Sequence, residues 1–304
     1  MIGTTSKRIG AATAALTLTL GLTACGSGEQ SGDGGDGGDG GDQTITMGII
    51  PSWTDGLSTA YLWKNILEAD GYTVEIEEIN DAAPLYTGLA EGDIDVYPSA
   101  WPEVTHKSYM DKYGDDIEDL GAYYDDAKLT MAVPEDSDLT SIEDLVGKSA
   151  DYDGKIVGIE AGAGLTKAVQ EQVIPQYGLE EDGWELQTSS TPAMLNALEE
   201  AVDAEEDIVV TLWRPFWANN SFPVRDLEDP KGALGEAEGL HELATTGFSE
   251  EFPEVAEMMA NAKLDDEQYG TLEDQVVNQN PDDPAAGVEA WLAENPDWVD
   301  SLKS

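Results

Sequence analysis

Short apolar runs alternate with stretches of helical periodicity over most of this chain, and this alternation constrains the fold more than any other feature. The runs at residues 45–50, 72–76 and 94–97 predict strands, and the stretches at residues 56–69 and 83–90 predict helices between them. Strands that alternate with helices usually pair in parallel. The sequence therefore predicts an α/β fold with a largely parallel sheet.

The same alternation then starts again, which indicates a second unit of the same kind. Four further runs predict strands, and three further stretches predict helices, the first of which has Ser141 as its N-cap. The predicted strands are residues 128–133, 155–159, 185–189 and 208–213, and the predicted helices are residues 141–146, 165–176 and 192–201.

The acidic C-terminal part of the chain contains helical stretches near residues 254–262 and 282–294. We expect this part to return to the first unit and to pack there. The predicted architecture therefore has two lobes, with residues 44–130 in lobe 1, residues 131–230 in lobe 2 and residues 231–304 returning to lobe 1. A cleft between two such lobes is a usual place for a small ligand.

The N-terminal residues have the pattern of a targeting segment. Lys7 and Arg8 precede an uncharged, mostly apolar stretch, residues 9–22, which is too short to span a bilayer comfortably and is typical of a secretory signal. The stretch ends in Leu22-Thr23-Ala24-Cys25, which resembles the bacterial lipobox, where the cysteine is diacylated. We expect residues 1–24 to be a signal peptide and Cys25 to be lipidated, with an ordinary signal peptide as the alternative.

Residues 26–42 consist almost entirely of glycine, aspartate and serine, a composition that cannot form a packed core. We expect residues 25–43 to be a flexible, lipid-anchored tether with an end-to-end distance of about 20–25 Å. A calcium-binding repeat is the alternative. This segment lacks the nonapeptide period and the apolar positions of such repeats, so we favour the tether.

Composition excludes several classes of function. The chain has 63 acidic and 14 basic residues, and a net charge of −49 excludes a nucleic-acid binder that depends on a basic surface. One cysteine and two histidines exclude an intrachain disulfide and an iron–sulfur cluster and leave little room for a metal site, so we expect no metal and no other cofactor. A folded chain with this charge indicates halophilic adaptation, because counterions at high salt screen the self-repulsion.

Nine short motifs follow one another in a fixed order. They are Trp53-Thr54-Asp55-Gly56, Tyr61-Leu62-Trp63-Lys64-Asn65, Gly92-Asp93-Ile94-Asp95-Val96, Ala100-Trp101, Thr105-His106-Lys107, Asp119-Leu120-Gly121, Gly162-Ala163-Gly164, Trp213-Arg214-Pro215 and Leu227-Glu228-Asp229-Pro230-Lys231-Gly232. Together they resemble the glycine betaine/proline-betaine binding lipoproteins of osmoprotectant ABC importers, from residue 44 to about residue 252. The resemblance implies a type II periplasmic-binding-protein fold, a transport role rather than an enzymatic one, a lipid-anchored extracytoplasmic location and permease subunits as partners.

In that family, a trimethylammonium group lies among three Trp rings, and a His side chain and main-chain amides hold the ligand carboxylate. The resemblance assigns six residues to the ligand: Trp53, Trp101 and Trp213 to the cation box, and His106, Gly164 and Leu165 to the carboxylate. His106 is also one of few side chains near these motifs that can carry a positive charge. Other tryptophans are expected to serve in packing, namely Trp63, Trp184, Trp291 and Trp298, and the role of Trp217 is left open.

The chemistry of such a ligand agrees with this assignment. A quaternary ammonium has no N–H to donate, so the negative faces of aromatic rings are its available partner, at about 0.5–2 kcal/mol per ring. A carboxylate suits the N-terminus of a helix, where free amides and the helix dipole both favour an anion. Gly164 allows close approach of the main chain there.

Two departures from the family pattern bear on the choice of ligand. Pro102-Glu103 stands where Leu-Pro is common after the second Trp, and Phe216 stands where His is usual after Trp-Arg-Pro. Glycine betaine is the expected ligand, and a choline, carnitine or proline-betaine receptor is the alternative. A secreted hydrolase that uses paired carboxylates is a distant alternative from another class.

The charge of the chain leads to a first prediction. We expect the melting temperature to rise as NaCl increases from about 0.1 M to above 1 M, because the Debye length falls from about 10 Å to about 3 Å and like charges are screened. Scanning calorimetry at several salt concentrations measures this. A melting temperature that stays flat or falls over the range contradicts halophilic adaptation.

Overall fold

The computed structural model describes residues 43–303, which form nine strands and twelve α-helices. The strands are β1 Thr44–Ile49, β2 Thr73–Glu78, β3 Val96–Ala100, β4 Ile117–Pro134, β5 Lys155–Val157, β6 Glu185–Gln187, β7 Val210–Arg214, β8 Val224–Asp226 and β9 Glu238–Thr245. The helices are α1 Thr54–Ala69, α2 Ala82–Glu91, α3 Lys107–Tyr113, α4 Gly164–Ala168, α5 Ile174–Tyr177, α6 Thr191–Ala204, α7 Ala218–Ser221, α8 Phe248–Glu251, α9 Pro253–Asn261, α10 Asp266–Glu273, α11 Pro284–Glu294 and α12 Pro296–Ser301. The predicted signal peptide, Cys25 and residues 26–42 of the tether lie outside the described residues.

The strands follow one hydrogen-bonded path in the order β2-β1-β3-β9-β4-β7-β5-β6, and β8 pairs with β4. Strand β4 is 18 residues long, lies in the middle of this path and pairs with strands on both sides. Its first part, residues 117–127, pairs with β9, whereas residues 128–134 pair with β7 and β8. We call the side with β1, β2, β3 and β9 lobe 1 and the side with β5, β6, β7 and β8 lobe 2. The residue at which one lobe gives way to the other stays a prediction.

The prediction of a largely parallel sheet is wrong for the centre of the molecule. Strand β1 is parallel to β2 and β3, and β5 is parallel to β6 and β7. Strands β4 and β9, by contrast, make only antiparallel pairs. The sequence analysis predicted only helices in the part of the chain that contains β9, and it predicted that β4 begins at residue 128. Polar residues interrupt the apolar pattern in both segments, so neither had the pattern expected of a strand.

Helices cover the strands of lobe 1. Helix α1 buries Leu62, Trp63, Ile66 and Leu67 and contacts β1, β2 and β3. Helix α11 packs on α1, and the fully buried Trp291 of α11 donates its indole N–H to the carbonyl oxygen of Gln268, at 3.1 Å. The C-terminal helices therefore pack against lobe 1.

Two predicted helices of lobe 2 differ in detail from the expectation. Residues Ile142–Leu145 form a 3-10 turn, and Ser141 caps it as predicted by accepting a hydrogen bond from the amide of Glu143. The helix predicted at residues 165–176 is present as α4 and α5 joined by a π-helical turn, Val169–Val173. Within residues 43–303, no helix is both long and apolar enough to cross a membrane.

The ends of several strands meet at one place in the fold. Trp53 follows β1, Trp101 follows β3, the loop before α4 follows β5, and Trp213 lies near the end of β7. In open α/β sheets, ligands bind beyond the carboxyl ends of the strands. The topology therefore brings these residues toward a common cavity between the lobes.

Candidate ligand-binding site

All six residues that the sequence assigns to the ligand line one cavity of about 350 Å³, counting the open space at its mouth. Five residues that the sequence analysis did not assign also line it: Asp55, Thr105, Leu129, Ile159 and Ala163. The structure thus brings the predicted residues together and adds one ionisable group, the carboxyl of Asp55.

Three indole rings form walls of the cavity and are nearly enclosed, with 8% of Trp53, 5% of Trp101 and 5% of Trp213 exposed. Each ring is held by a different contact. The indole N–H of Trp53 donates to Glu160 Oε2 at 3.2 Å, and that of Trp101 donates to Asp55 Oδ2 at 3.1 Å.

The third ring, that of Trp213, stacks on Phe216 with ring centroids 4.0 Å apart and an interplanar angle of 22°. Phe216 is one of the two departures from the family pattern. It is buried and is absent from the cavity lining, so its contact with the site goes through Trp213. Phe216 therefore supports one wall of the cavity and does not change the groups that face the cavity.

Asp55 is a buried carboxyl group beside the three rings. It accepts hydrogen bonds from Ser99 Oγ at 2.7 Å and from the Trp101 indole. Burial raises the pKa of Asp55, and these two donors act in the opposite direction. Because Asp55 belongs to the motif that contains Trp53, the motif was the signal that could have identified it as a site residue.

His106 is buried among aromatic rings, and its ring stacks on Trp53 with centroids 5.9 Å apart. The main-chain amide of Trp101 donates to His106 Nδ1 at 3.2 Å, and the amide of His106 donates back to the Trp101 carbonyl at 2.7 Å. Since Nδ1 accepts a hydrogen bond, the proton of the neutral ring is on Nε2.

Burial lowers the pKa of His106 to about 3. Its imidazole is neutral at physiological pH because no carboxylate partner offsets the loss of hydration. What His106 offers to a ligand is the N–H of Nε2, a hydrogen-bond donor without a charge.

Gly164 and Leu165 begin helix α4 at the edge of the cavity. The N-cap is Ala163, whose methyl group cannot accept a hydrogen bond from the first-turn amides. A Cβ atom on residue 164 would overlap the carbonyl oxygen of Thr105, which lies in lobe 1. Only glycine therefore permits this close approach between the two lobes.

The lobes are in direct contact beside the cavity. Glu160 of lobe 2 accepts from Ser52 Oγ at 3.3 Å and from the Trp53 indole, both in lobe 1. The same carboxylate accepts from the amide and the hydroxyl of Thr191 in its own lobe, at 2.9 Å each. Tyr109 adds a second bridge by donating its hydroxyl to the Gly162 carbonyl at 2.9 Å.

The remaining tryptophans lie away from this cavity. Four are buried in packing positions, as expected from the sequence: Trp63, Trp184, Trp291 and Trp298. Trp217, whose role the sequence left open, is partly buried between Phe216 and Phe222 and lines a separate groove. None of the five lines the cavity.

Residues 43–294 match the family described as the substrate-binding domain of ABC-type glycine betaine transport systems. In sequence, the chain is 36% identical over 166 residues to the glycine betaine/carnitine transport binding protein GbuC of Listeria monocytogenes serotype 1/2a, strain 10403S. That alignment covers 52% of this chain and 52% of the relative. The match thus spans about half the length of this curated relative.

Two solved structures are similar to the chain over most of their length. The glycine/betaine/L-proline-binding protein ProX of Borrelia burgdorferi is 28% identical with a TM-score of 0.79, covering 85% of this chain and 96% of that one. Lactococcal OpuAC, in its closed conformation with glycine betaine, is 28% identical with a TM-score of 0.79, covering 86% and 100%. These similarities confirm the predicted α/β, two-lobed, periplasmic-binding-protein fold.

The contact between Gly164 and Thr105 leads to a prediction. In Gly164→Ala, the added methyl group would hold the lobes apart, so we expect the affinity for quaternary ammonium ligands to fall at least about tenfold, or about 1.4 kcal/mol. Each lobe should still fold. Calorimetric titration measures the affinity, and small-angle scattering measures closure.

Gly270→Ala is the matched control, because no atom lies within 4 Å of the added Cβ in helix α10. This variant should bind like the parent and be slightly more stable, as expected for alanine in a helix. Parental affinity in Gly164→Ala would show that closure tolerates a methyl group and would contradict the prediction.

Proposed function

The chain belongs to the family of substrate-binding domains of ABC-type glycine betaine transport systems, and from this premise we propose that its cavity captures glycine betaine, or a related quaternary ammonium solute. We propose that it does so outside the cytoplasm and delivers the solute to the permease subunits of an ABC importer. The role is that of an osmoprotectant receptor without catalytic function.

The observation that carries this proposal is the meeting of three indole rings and one buried carboxyl group in a single small cavity. Indole faces attract a cation that cannot donate hydrogen bonds, at about 0.5–2 kcal/mol per ring. The rings also exclude water, which strengthens the attraction to Asp55. A trimethylammonium group satisfies both requirements, whereas a primary amine would lose hydrogen bonds to water that the rings cannot replace.

Three donors in the same cavity suit the carboxylate of a betaine. They are the N–H of His106 Nε2 and the amides of Gly164 and Leu165 at the start of helix α4. Charge-assisted hydrogen bonds of this kind are stronger than those between neutral groups. We propose that these donors bind the ligand carboxylate while the rings and Asp55 bind its cationic end.

Choline, carnitine and proline betaine are the alternatives within the same class. Choline has no carboxylate, so it would leave the three donors without their anionic partner. Carnitine appears in the name of the Listeria relative, which supports testing it alongside glycine betaine. Calorimetry with the four compounds separates these possibilities, and a stoichiometric heat without turnover distinguishes a receptor from the hydrolase alternative.

Closure and capture are linked through Glu160. Its carboxylate joins the indole of Trp53 to lobe 2, so one wall of the cation box is completed only when the lobes approach each other. A ligand that enters the open cleft and contacts residues of both lobes would stabilise the closed arrangement. We propose that this closed, loaded form is the one that docks on the permease.

We also propose that Cys25 is lipidated and anchors the protein to the outer face of the cell membrane. Replacing Cys25 with Ser should release the protein into the medium or leave an unprocessed precursor, because the residue that carries the lipid is lost. Cell fractionation combined with mass spectrometry of the N-terminus tests this. A mature, processed Cys25→Ser protein that stays with the membranes would contradict the anchor.

The cation box itself gives the main test of the proposed function. Replacing Trp53, Trp101 or Trp213 with Ala should each weaken glycine betaine binding by roughly tenfold or more, because one ring face is lost and water enters the gap. Replacing His106 with Ala should weaken glycine betaine much more than choline, which has no carboxylate to lose. Calorimetric titration of each variant measures both effects.

Trp291→Ala serves as the control, because Trp291 is a buried tryptophan outside the cavity. It should cost about 3–5 kcal/mol of stability, as large core truncations do, but leave the affinity of the folded fraction unchanged. If all three box variants bind glycine betaine like the parent and remain folded, both the site and the ligand class are wrong.

A further inference from the structure

Four residues join two walls of the cavity. Trp101 and His106 line the cavity, and residues 102–105 connect them; we call this connection the 102–105 loop. The loop also carries Thr105, whose carbonyl oxygen lies against Gly164 of the other lobe. Its position therefore affects the cation box, the carboxylate site and the contact between lobes at the same time.

Strand β9 holds this loop through two glutamates. Glu238 of β9 is buried and accepts from the amides of Val104 and Thr105, at 2.9 and 2.8 Å, and from the Thr105 hydroxyl. Glu103 of the loop accepts from the amide of Gly239 of β9 at 2.9 Å. Glu103 belongs to the Pro102-Glu103 pair that departs from the family pattern, so the departure supplies one of the two anchors.

The second anchor includes a histidine. His241 Nε2 lies 3.1 Å from Glu103 Oε1, and His241 Nδ1 lies 2.8 and 3.0 Å from the two carboxylate oxygens of Asp119. Both ring nitrogens thus face carboxylates, and only the protonated imidazolium can donate from both. Asp119 is fixed in turn by the amide of Gly121 at 2.9 Å.

The surroundings of His241 contain few other charges. On the neighbouring strands its partners are Ala100 of β3 and Ala122 of β4, which carry none. The charged groups that face it are Asp119 from β4 and Glu103 from the loop, with Glu238 nearby on its own strand and in electrostatic contact with Glu103. Burial lowers the pKa of His241, but hydrogen bonds and charges from Asp119 and Glu103 outweigh burial, and its pKa is raised above 6.5.

We propose that His241 is a positioning residue for the ligand site: when protonated it strengthens the attachment of the 102–105 loop to β9 through Glu103, and when neutral it no longer does so, so that ligand affinity falls as pH rises. This inference rests on the proposed function, because the loop positions the groups assigned there to the ligand. His241 acts through Glu103 and lies outside the cavity lining.

The geometry decides which bond is lost on deprotonation. Nδ1 makes the shorter contacts and faces both oxygens of Asp119, so the neutral ring keeps its proton there. Nε2 then presents a lone pair to the carboxylate of Glu103, and attraction becomes repulsion. Since the pKa is raised on folding, the stabilisation is present below about pH 6.5 and is lost as the pH rises through the pKa of the folded protein.

The chain has only two histidines, so nitrogen-15 NMR of the imidazoles can follow both separately. His241 should be doubly protonated near pH 6 and titrate at higher pH, whereas His106, with its pKa lowered to about 3 by burial, should remain neutral with the proton on Nε2. As His241 loses its proton, the dissociation constant of glycine betaine should rise about three- to tenfold, which corresponds to the usual net free energy of one hydrogen bond. Calorimetric titration at each pH measures this in the full chain.

Two variants separate positioning from a structural effect. The His241→Gln variant should bind glycine betaine weakly at every pH, and its affinity should not change with pH. Glu103→Gln keeps an acceptor for Nε2 but removes one negative charge, so the midpoint of His241 should move to lower pH, and the midpoint of the affinity profile should move with it. Glu289→Gln, an exposed glutamate on α11, is the charge-matched control and should leave both midpoints unchanged.

The outcomes distinguish this inference from the proposed function. If the parent binds no quaternary ammonium compound at any pH, the proposed function fails. If the parent binds with an affinity that stays flat while His241 titrates, or if His241→Gln retains the parental pH profile, the proposed function stands and the role of His241 is overturned. Joint movement of the two midpoints in Glu103→Gln supports the role and would not result from a merely structural contact.

Discussion

A buried indole N–H needs an acceptor, and in this protein carboxyl groups supply it around the cavity. Trp53 donates to Glu160 and Trp101 donates to Asp55, and the same pairing recurs in the core of lobe 1, where Trp63 donates to Glu242. Burial raises the pKa of Asp55 and of Glu242, so the hydrogen bonds from the donors offset only part of the free-energy cost of burying the ionised carboxylates. In return, each bond fixes a large ring in one orientation, and loss of the acceptor would leave a buried donor unsatisfied. The shape of the cavity depends on these pairs.

Much of the cavity could be predicted from sequence because its residues belong to motifs. The three box tryptophans, His106 and the glycine-led helix each follow or end a strand, and strands with apolar runs are the most readable feature of an α/β chain. The family resemblance that the ordered motifs carry then assigned the residues to one site, and the structure brings all six to one cavity. Their roles toward a ligand remain those of the proposal.

The groups that hold these residues in place could not be predicted. Glu160 and Glu238 are 2 of 63 acidic residues, and no local pattern separates them from the solvated ones. Asp119 lies in a motif and Glu103 in a departure from the family pattern, but neither pattern indicates a partner. Their partners are distant in sequence, by 107 residues for Trp53 and Glu160 and by 138 for His241 and Glu103. Strand β9 was missed for a related reason, because its single His and two Glu residues interrupt the apolar alternation. The partners of these polar residues are loop amides and side chains that come near only in the folded chain.

The neutral state of His106 has a consequence for choosing between a betaine and a simple cation. A net charge of −49 attracts any cation at low salt, but a betaine carries no net charge, and at about 1 M salt the field is screened within roughly 3 Å. Selection must therefore come from groups inside the cavity. In a betaine the cationic nitrogen and the carboxylate are one methylene apart, and His106 stacks 5.9 Å from a ring of the box. A protonated His106 would repel the trimethylammonium group by about 1–3 kcal/mol at roughly 6 Å. In the proposed site, a neutral Nε2–H and two main-chain amides would bind the carboxylate by hydrogen bonds without that repulsion, and an uncharged imidazole also avoids the cost of burying a second cation in the cavity.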